Sequence, residues 1–274
     1  MQHGTSLADF VRISSATPIY RYLCVSEFGR LLEGCLRLTC PFKWAAGDNG
    51  DPWENLLFQT KVIRPDGVPL NTGAEGCKIY AHSWTTIPES DAMWRLYGQG
   101  ESVKIKTSAG ALLRTVQGRF RIVANQFITF KIGAVDYLRD DQVVDSYATI
   151  ERFRERLDDP HEATMLKRLA YRHEEEVRLV AYDFDDRNRR PELGDLSIRA
   201  YPENPFHLDV KIEPHSEQPW IEEVVINPKL DSEQAALLVA QVTAKGFPRE
   251  QIPKSNLYGR KNITLRLPDN ASAS

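Results

Sequence analysis

Apolar residues recur along this chain with two different spacings. In residues 102–107, Val103 and Ile105 point to one face of an extended chain, and Lys104 and Lys106 point to the other. This period of two predicts a strand with one buried face. Further on, apolar residues recur at helical spacing, at Val143, Val144, Tyr147, Ile150, Phe153 and Leu157. That spacing predicts an amphipathic helix whose charged face is exposed to solvent.

The same two periods divide the rest of the chain into strands and helices. Strands are expected at 19–23, 36–39, 78–84, 127–137, 176–184, 208–212, 221–226 and 263–267, with an irregularity at Gly133. Helices are expected after an N-cap at Ser26, after a capping box at Thr86–Glu89, over 109–116, from Asp159 toward Leu169, and after an N-cap at Asp231. This mixture predicts an α+β fold, with a mixed, mostly antiparallel central sheet flanked by helices.

Composition places the chain among ordinary globular proteins. Of its 274 residues 42% are apolar and 27% charged, and no Pro/Gly/Ser-rich linker divides it, so one domain over 1–267 with a frayed tail at 268–274 is expected. The formal net charge of −3 argues against a protein whose main role is to coat nucleic acid. Because no signal peptide and no apolar run of membrane length is found, we expect a cytoplasmic protein with no membrane partner. The four cysteines match neither a disulfide framework nor a CxxC metal site, so free thiols are expected.

Arg21 is the first candidate for a binding residue. In an extended run it shares a face with Ile19 and Leu23, while Tyr20 and Tyr22 share the other face. An arginine between two core-facing aliphatic residues is costly unless it meets an anion, and its planar guanidinium suits a carboxylate or a phosphate equally well. The alternative is an exposed arginine on an edge strand.

Two carboxylates near the start of a late strand are the candidates for catalysis. If the strand opens at His173, then Glu174, Glu176 and Arg178 point the same way. Two carboxylates on one face repel each other and raise a pKa, which is useful for acid–base work or for binding ribose hydroxyls. The alternative is a structural ion pair in which Glu174 or Glu176 pairs with Arg178.

Hydroxyl and acidic residues elsewhere give weaker indications. Ser83 and its neighbours end a strand before a helix N-terminus, a place suited to anions, although hydroxyls there often serve only as caps. Asp51, Glu54 and Asp91 are acidic residues near turns, where such residues commonly act as turn formers and caps, so no metal is predicted. The histidines form no metal-binding motif, and no phosphate-binding loop or nucleophile elbow is present.

Several pieces of the sequence occur in a familiar order. They are Ile19-Tyr-Arg-Tyr22, Leu32 to Leu38, Asp51-Pro-Trp-Glu54, Ser83-Trp84, Asp91-Ala-Met-Trp-Arg-Leu-Tyr97, Val103-Lys-Ile-Lys106, Tyr171 and His173-Glu-Glu-Glu-Val-Arg-Leu-Val180. Over residues 18–260 this order resembles the widespread bacterial family called domain of unknown function twenty-nine seventy-one. The family name itself implies no activity.

The layout is also similar to ADP-ribosyltransferases of the DNA-modifying toxin group, and this resemblance implies an activity. Tyr20 and Arg21 then take the first-strand positions that hold the ribose or phosphate of NAD. Ser83 or Thr85 would contribute the hydroxyl of the cofactor pocket, and Trp84 and Trp94 its aromatic residues. Ser83-Trp-Thr stands where that group has Ser-Thr-Ser. Glu176 takes the place of the catalytic glutamate, and Glu174 would serve the acceptor side. The resemblance implies NAD as substrate, no metal, and a nucleic-acid or protein acceptor in a toxin or phage-defence setting.

Two other functions are consistent with the same residues. One is a non-enzymatic sensor that binds a ligand or nucleic acid, with Trp44, Trp53, Trp84 and Trp94 around a recognition cleft. The other is a metal-dependent nuclease that uses Asp51, Glu54 and Asp91. ADP-ribosyl transfer requires Arg21 and Glu176 to line one cavity. Their relative placement therefore distinguishes the transferase from the other two functions.

Overall fold

A central sheet organises the protein. The computed structural model describes residues 10–41, 44, 51–56, 60–70, 79–117, 126–153, 159–185, 207–212, 220–253, 255 and 257–259. The strands in this part of the chain are β1 (Phe10–Val11), β2 (Pro18–Cys24), β3 (Cys35–Thr39), β4 (Val62–Ile63), β5 (Pro69–Leu70), β6 (Ile79–Thr85), β7 (Ser102–Ser108), β8 (Gln126–Ala134), β9 (Asp136–Leu138), β10 (Leu166–Arg168), β11 (Glu176–Asp185), β12 (His207–Lys211) and β13 (Glu223–Ile226). The helices are α1 (Val25–Leu32), α2 (Asp91–Tyr97), α3 (Ala109–Gln117), α4 (Asp140–Asp145), α5 (Pro160–Ala163) and α6 (Ser232–Ala244), with 3₁₀ turns at Pro52–Asn55, Leu169–Glu174 and Arg249–Gln251.

The main sheet is mixed and mostly antiparallel. Its strand order is β1-β8-β11-β6-β2-β7-β13, with β3 joined to β6 and β12 to β3. Only the β1–β8 pairing within it is parallel among the described strands. Separate two-stranded pairings join β9 to β10 and β4 to β5. The predicted α+β fold is therefore confirmed.

Helices cover both faces of the sheet because the strands carry apolar residues on both. On one face, Ile19 and Ile105 are fully buried beneath residues of α1, α3 and α6, such as Leu31, Leu112 and Leu238. Each side chain of this size contributes about 1.5–3 kcal/mol when fully buried. On the opposite face Tyr22, Met93, Trp94 and Val225 form a smaller cluster under α2.

Tertiary contacts shift two of the predicted helix starts. The predicted capping box at Thr86–Glu89 is wrong, because the backbone N–H and the hydroxyl of Thr86 both donate to Glu175, at 3.0 and 2.9 Å. Helix α2 begins after Ser90, whose hydroxyl accepts from the backbone N–H of Met93 at 3.5 Å. Helix α1 has Cys24 rather than Ser26 as its N-cap. Helix α6 is capped as predicted, since Asp231 accepts from the backbone N–H of Gln234 at 2.8 Å.

Three predicted elements are divided in the structure. The strand expected over 127–137 breaks at Val135, whose N–H donates to the carbonyl of Glu176, and not at Gly133. The helix expected at 143–157 is interrupted after α4 and is helical again at 150–153, and residues 154–157 of the predicted range lie outside the described residues. The helix expected from Asp159 stops as α5, and β10 follows it. The strand expected at 263–267, the tail at 268–274 and residues 186–190 of the charged loop lie outside the described residues.

Two smaller predictions concern the cysteines and the membrane. Cys24, Cys35 and Cys40 take part in no disulfide among the described residues, as predicted, and Cys77 lies outside those residues. Within the described part of the chain, no helix has the length and apolar character needed to cross a bilayer.

Gly133 is required by the close approach of β1 to β8. A Cβ placed there would lie 2.7 Å from the Cβ of Val11, 2.9 Å from its carbonyl oxygen and 3.2 Å from Cε of Met165. We expect Gly133→Ala to lower the free energy of unfolding by about 1–3 kcal/mol, because the neighbouring backbone must move to admit the methyl group. Urea denaturation measures the change.

Gly29 supplies the matched control for that substitution. It lies within α1, and a Cβ there would meet nothing within 4 Å. Gly29→Ala should therefore raise the free energy of unfolding by about 0.5–1 kcal/mol through helix propensity. Equal effects at the two glycines would contradict a steric role for Gly133.

Candidate active site

An opening between β2 and β6 creates the candidate site. These two strands are neighbours in the sheet, yet they pair only where Tyr20 lies opposite Thr85. Beyond that point β2 continues along β7, while β6 pairs with β3 where Ala81 lies opposite Thr39. Cavities of about 430 and 320 Å³ lie where the strands separate. We call them the first and the second cavity, and Arg21 and Ser83 line both.

Arg21 lies between the two cavities. As predicted, it shares the strand face of Ile19 and Leu23. Its Nη1 donates to the carbonyl oxygen of Ser83, which β2 leaves unpaired on β6. Its Nε is buried and has no hydrogen-bond partner among the described residues. Burial lowers the pKa of Arg21, an effect that the charges of Glu27 and Glu176 oppose.

Glu176 lies at the first position of β11, opposite Thr85, and lines the first cavity. Its backbone is fixed on both sides: its N–H donates to the hydroxyl of Tyr137 at 2.8 Å, and its carbonyl accepts from Val135 at 2.9 Å. Its carboxylate accepts two hydrogen bonds from Arg178, at 2.8 and 2.9 Å, and one from Lys167 at 3.0 Å. Arg21, Ser83 and Glu176 therefore come from three strands and line one cavity.

A buried network of charges surrounds Glu176. Lys167 lies 3.0 Å from Glu54, 2.6 Å from Glu174 and 3.0 Å from Glu176, and Arg178 also pairs with Glu54 at 2.8 Å. All five side chains are less than a tenth exposed. Such burial is costly unless every charge is paired and hydrogen-bonded, and here each one is.

The network keeps Glu176 ionised. Burial alone would raise the pKa of its carboxyl, but the positive charges of Arg178 and Lys167 outweigh burial and hold that pKa well below its ordinary value of 4.5. The same carboxylates raise the pKa of Lys167 despite its burial. At neutral pH Glu176 can therefore accept hydrogen bonds and stabilise positive charge, but it cannot serve as a proton donor.

Glu174 lines the cavity by a different route from the one predicted. We expected it to share a strand face with Glu176 and Arg178, but it lies in a 3₁₀ turn, and Glu175 adopts a left-handed conformation with φ 39° and ψ 54°. The turn is held by the hydroxyl of Thr85, which donates to the carbonyl of Glu174 at 2.6 Å. The two carboxylates do not repel as a bare pair, because Lys167 lies between them.

The aromatic residues predicted for the site separate into two groups. Tyr20 and Trp84 line the first cavity, although only 3% of Trp84 is exposed and most of its ring packs in the core. Trp94 lies outside both cavities: its ring meets Tyr22 edge-on at 4.7 Å, and its Nε1 donates to Glu89 at 3.2 Å. The structure thus does not place Trp94 with the other predicted site residues, because its apolar surface fills the space under α2.

Several residues of the cavity were not predicted as site residues. Lys167 and Tyr171 line it without having been predicted for any site, whereas Trp44, which also lines it, was predicted only for the recognition cleft of the sensor. Arg178 stacks on the Trp44 ring at 4.9 Å. In the sequence, Lys167 and Arg168 interrupt an apolar run directly after Met165-Leu166. This interruption was the one sign that Lys167 belongs to a site.

The acidic residues considered for a metal face cations instead. Asp51 pairs with Arg168 at 2.9 Å, and Asp91 lies on α2, where it pairs with Arg95 at 2.6 Å. Glu54 belongs to the network around Lys167. Across the described ranges, no group of three or more histidine, cysteine or acidic side chains is arranged to bind a metal ion.

Comparisons with known proteins add no further assignment. No family model, no curated protein and no solved structure matches this chain.

Proposed function

We propose that this protein is an NAD-dependent ADP-ribosyltransferase of the toxin or phage-defence kind. The observation that carries the proposal is the meeting of Arg21, Ser83 and Glu176 in one cavity, where β2 and β6 separate after pairing only at Tyr20 and Thr85 within the described chain. A cation suited to phosphate, a hydroxyl and an ionised carboxylate are the groups that such a reaction needs. The cavity of about 430 Å³ falls within the range of small-molecule sites.

The charge of Glu176 fits the bond-breaking step. The bond between ribose C1′ and the nicotinamide nitrogen breaks, and nicotinamide leaves as a neutral molecule with the bonding electron pair. Positive charge then develops on the ribose, as in glycoside hydrolysis, and a carboxylate kept ionised beside it stabilises that charge. The acceptor's nucleophile forms the new bond to C1′ and loses a proton.

Glu174 would act on the acceptor side of the same cavity. Its carboxylate accepts from the hydroxyl of Tyr97 at 3.0 Å, and Tyr97 is 48% exposed. This pair therefore links the buried network to the surface, where a nucleic-acid or protein acceptor would approach. The aromatic ring of Tyr171, which also lines the cavity, suits contact with a planar group of either acceptor.

A sensor that binds a nucleotide without cleaving it is the second candidate. The observation that favours it is the paired state of Glu176, whose carboxylate already accepts from Arg178 and Lys167. A structural ion pair of this kind can position a cavity without taking part in chemistry. In this case Arg21 and Trp44 would supply affinity through charge and stacking.

Incubation of the full chain with NAD tests the proposal. We expect release of free nicotinamide, measured by chromatography, and a higher unfolding temperature in the presence of NAD. A ligand at about a hundredfold its Kd stabilises the folded state by about 2.7 kcal/mol. Thermal stabilisation without nicotinamide release would favour the sensor, and the absence of both effects would refute NAD as a ligand.

A further inference from the structure

The second cavity differs from the first in the sign of its charges. Three arginines line it, Arg21, Arg30 and Arg37, with Glu27 as its one acidic residue among those described. The first cavity is lined by Asp51, Glu54, Glu174 and Glu176 in addition to Glu27. A ligand that spans both cavities would therefore place its anionic part in the second.

Two of the three arginines remain available to an anion. Arg37 is engaged by Asp209 through two hydrogen bonds of 2.6 Å. Arg21 uses only Nη1, toward the Ser83 carbonyl, and the side chain of Arg30 on α1 makes no hydrogen bond or ion pair with any residue that the structure describes. A guanidinium without a partner beside a polar cavity is the usual receptor for a phosphate group.

His82 supplies an independent indication of a ligand. It is 7% exposed, it lines the second cavity from β6, and its Nδ1 is buried without a hydrogen-bond partner in the described chain. Burial, together with the charge of Arg21, lowers the pKa of His82 well below its usual value, so the ring is neutral. A neutral imidazole carries its proton on either nitrogen and can donate from Nδ1 to an anion's oxygen. A buried polar atom left unpaired is costly, which a bound phosphate would relieve.

We propose that the second cavity is a phosphate site, formed by Arg21, Arg30 and His82, that binds the diphosphate of a nucleotide. In naming the diphosphate of a dinucleotide as the occupant, the inference rests on the proposed function. It adds Arg30 and His82 as binding residues, and it fixes the direction of the ligand: phosphates lie toward α1, and the ribose that reacts lies toward Glu176. The cavity volume of about 320 Å³ accommodates such a group.

Isothermal titration of the full chain with ADP, adenosine and pyrophosphate tests this assignment. ADP should bind at least about tenfold more tightly than adenosine, since a charge-assisted hydrogen bond is stronger than a neutral one, and pyrophosphate should compete with ADP. Equal affinities for ADP and adenosine, no binding of ADP, or no competition by pyrophosphate would overturn the assignment.

Three variants locate the site. Arg30→Gln and His82→Leu should each weaken ADP binding by about tenfold, as loss of a charge-assisted contact does, whereas Arg114→Gln on α3, which lines neither cavity, should not. His82→Leu should also keep or raise the unfolding temperature, because it removes an unpaired polar atom; a purely structural histidine would lower it. Wild-type ADP affinity in the two folded variants refutes the site.

These titrations separate the inference from the proposed function, because ADP has no nicotinamide to release. If ADP binding depends on Arg30 but NAD releases no nicotinamide, the transferase proposal is refuted and the phosphate site is supported. If NAD releases nicotinamide but ADP binding is unchanged in Arg30→Gln and His82→Leu, the phosphate site is refuted and the transferase proposal is supported.

Discussion

Glu176→Gln should reduce nicotinamide release from NAD by about a hundredfold to a thousandfold in kcat, the range seen when one group that stabilises transition-state charge is removed. The substitution keeps the size of the side chain and removes its negative charge. Since positive charge develops on the ribose only as the bond breaks, the loss should fall on kcat rather than on the Kd for NAD. Steady-state nicotinamide release and titration with NAD measure the two quantities separately.

The same variant should remain folded because of the charge balance around it. The wild-type network joins three carboxylates, Glu54, Glu174 and Glu176, to the two cations Lys167 and Arg178. With glutamine at position 176, two carboxylates face two cations. The amide oxygen can still accept a hydrogen bond from Arg178. Circular dichroism and the unfolding temperature therefore serve as checks that lost activity is not lost structure.

Glu175→Gln is the matched control. Glu175 directly precedes Glu176 in the chain, it is exposed, and its carboxylate accepts only from the hydroxyl of Thr86 among the described residues, at 2.9 Å. Nicotinamide release by Glu175→Gln should stay within about twofold of wild type, since substitutions of exposed residues rarely have larger effects. Full nicotinamide release by Glu176→Gln would show that this carboxylate is structural and does not stabilise the reacting ribose.

The placement of Arg21 shows how far sequence reasoning reaches. A period of two places it between Ile19 and Leu23, and the cost of burying a charge there predicts an anionic partner or ligand. The sequence pattern thus predicts the strand, its two faces and the unusual position of the arginine. It does not predict that β2 and β6 separate after one pairing, because strand order depends on contacts between residues far apart in the chain.

The segment around Glu174 shows where such reasoning fails. The alternation Glu174, Glu176, Arg178 has the period of a strand, but the backbone turns at Glu175, where Thr85 and Thr86 bind the turn. Both of these contacts join residues 89 positions apart. Lys167 could not be predicted as the centre of the network either, since its three carboxylate partners come from two other parts of the fold. Local sequence therefore predicted which residues are unusual, but not which of them meet.

Arg178→Met should lower the free energy of unfolding by about 3–5 kcal/mol, the cost of leaving a buried ion pair without one of its partners. Arg178 is 1% exposed, and its guanidinium donates to Glu54, to Glu176 and to the carbonyl of Thr164. Its removal leaves three buried carboxylates with Lys167 as their cation. It also removes the stacking on Trp44, and methionine restores only the apolar part of that contact. Urea denaturation at neutral pH measures the loss.

Arg95→Met provides the comparison on the surface, where its partner Asp91 lies at 2.6 Å and both side chains are well exposed. Solvent screens an exposed ion pair, which therefore contributes little to folding, so this variant should be nearly as stable as wild type. The difference between the two arginines then measures what burial adds to an ion pair in this protein. If Arg178→Met were as mild as Arg95→Met, the carboxylate of Glu176 would not depend on Arg178. The low pKa that keeps Glu176 ionised beside the reacting ribose would then lack its main physical cause, the charge of Arg178.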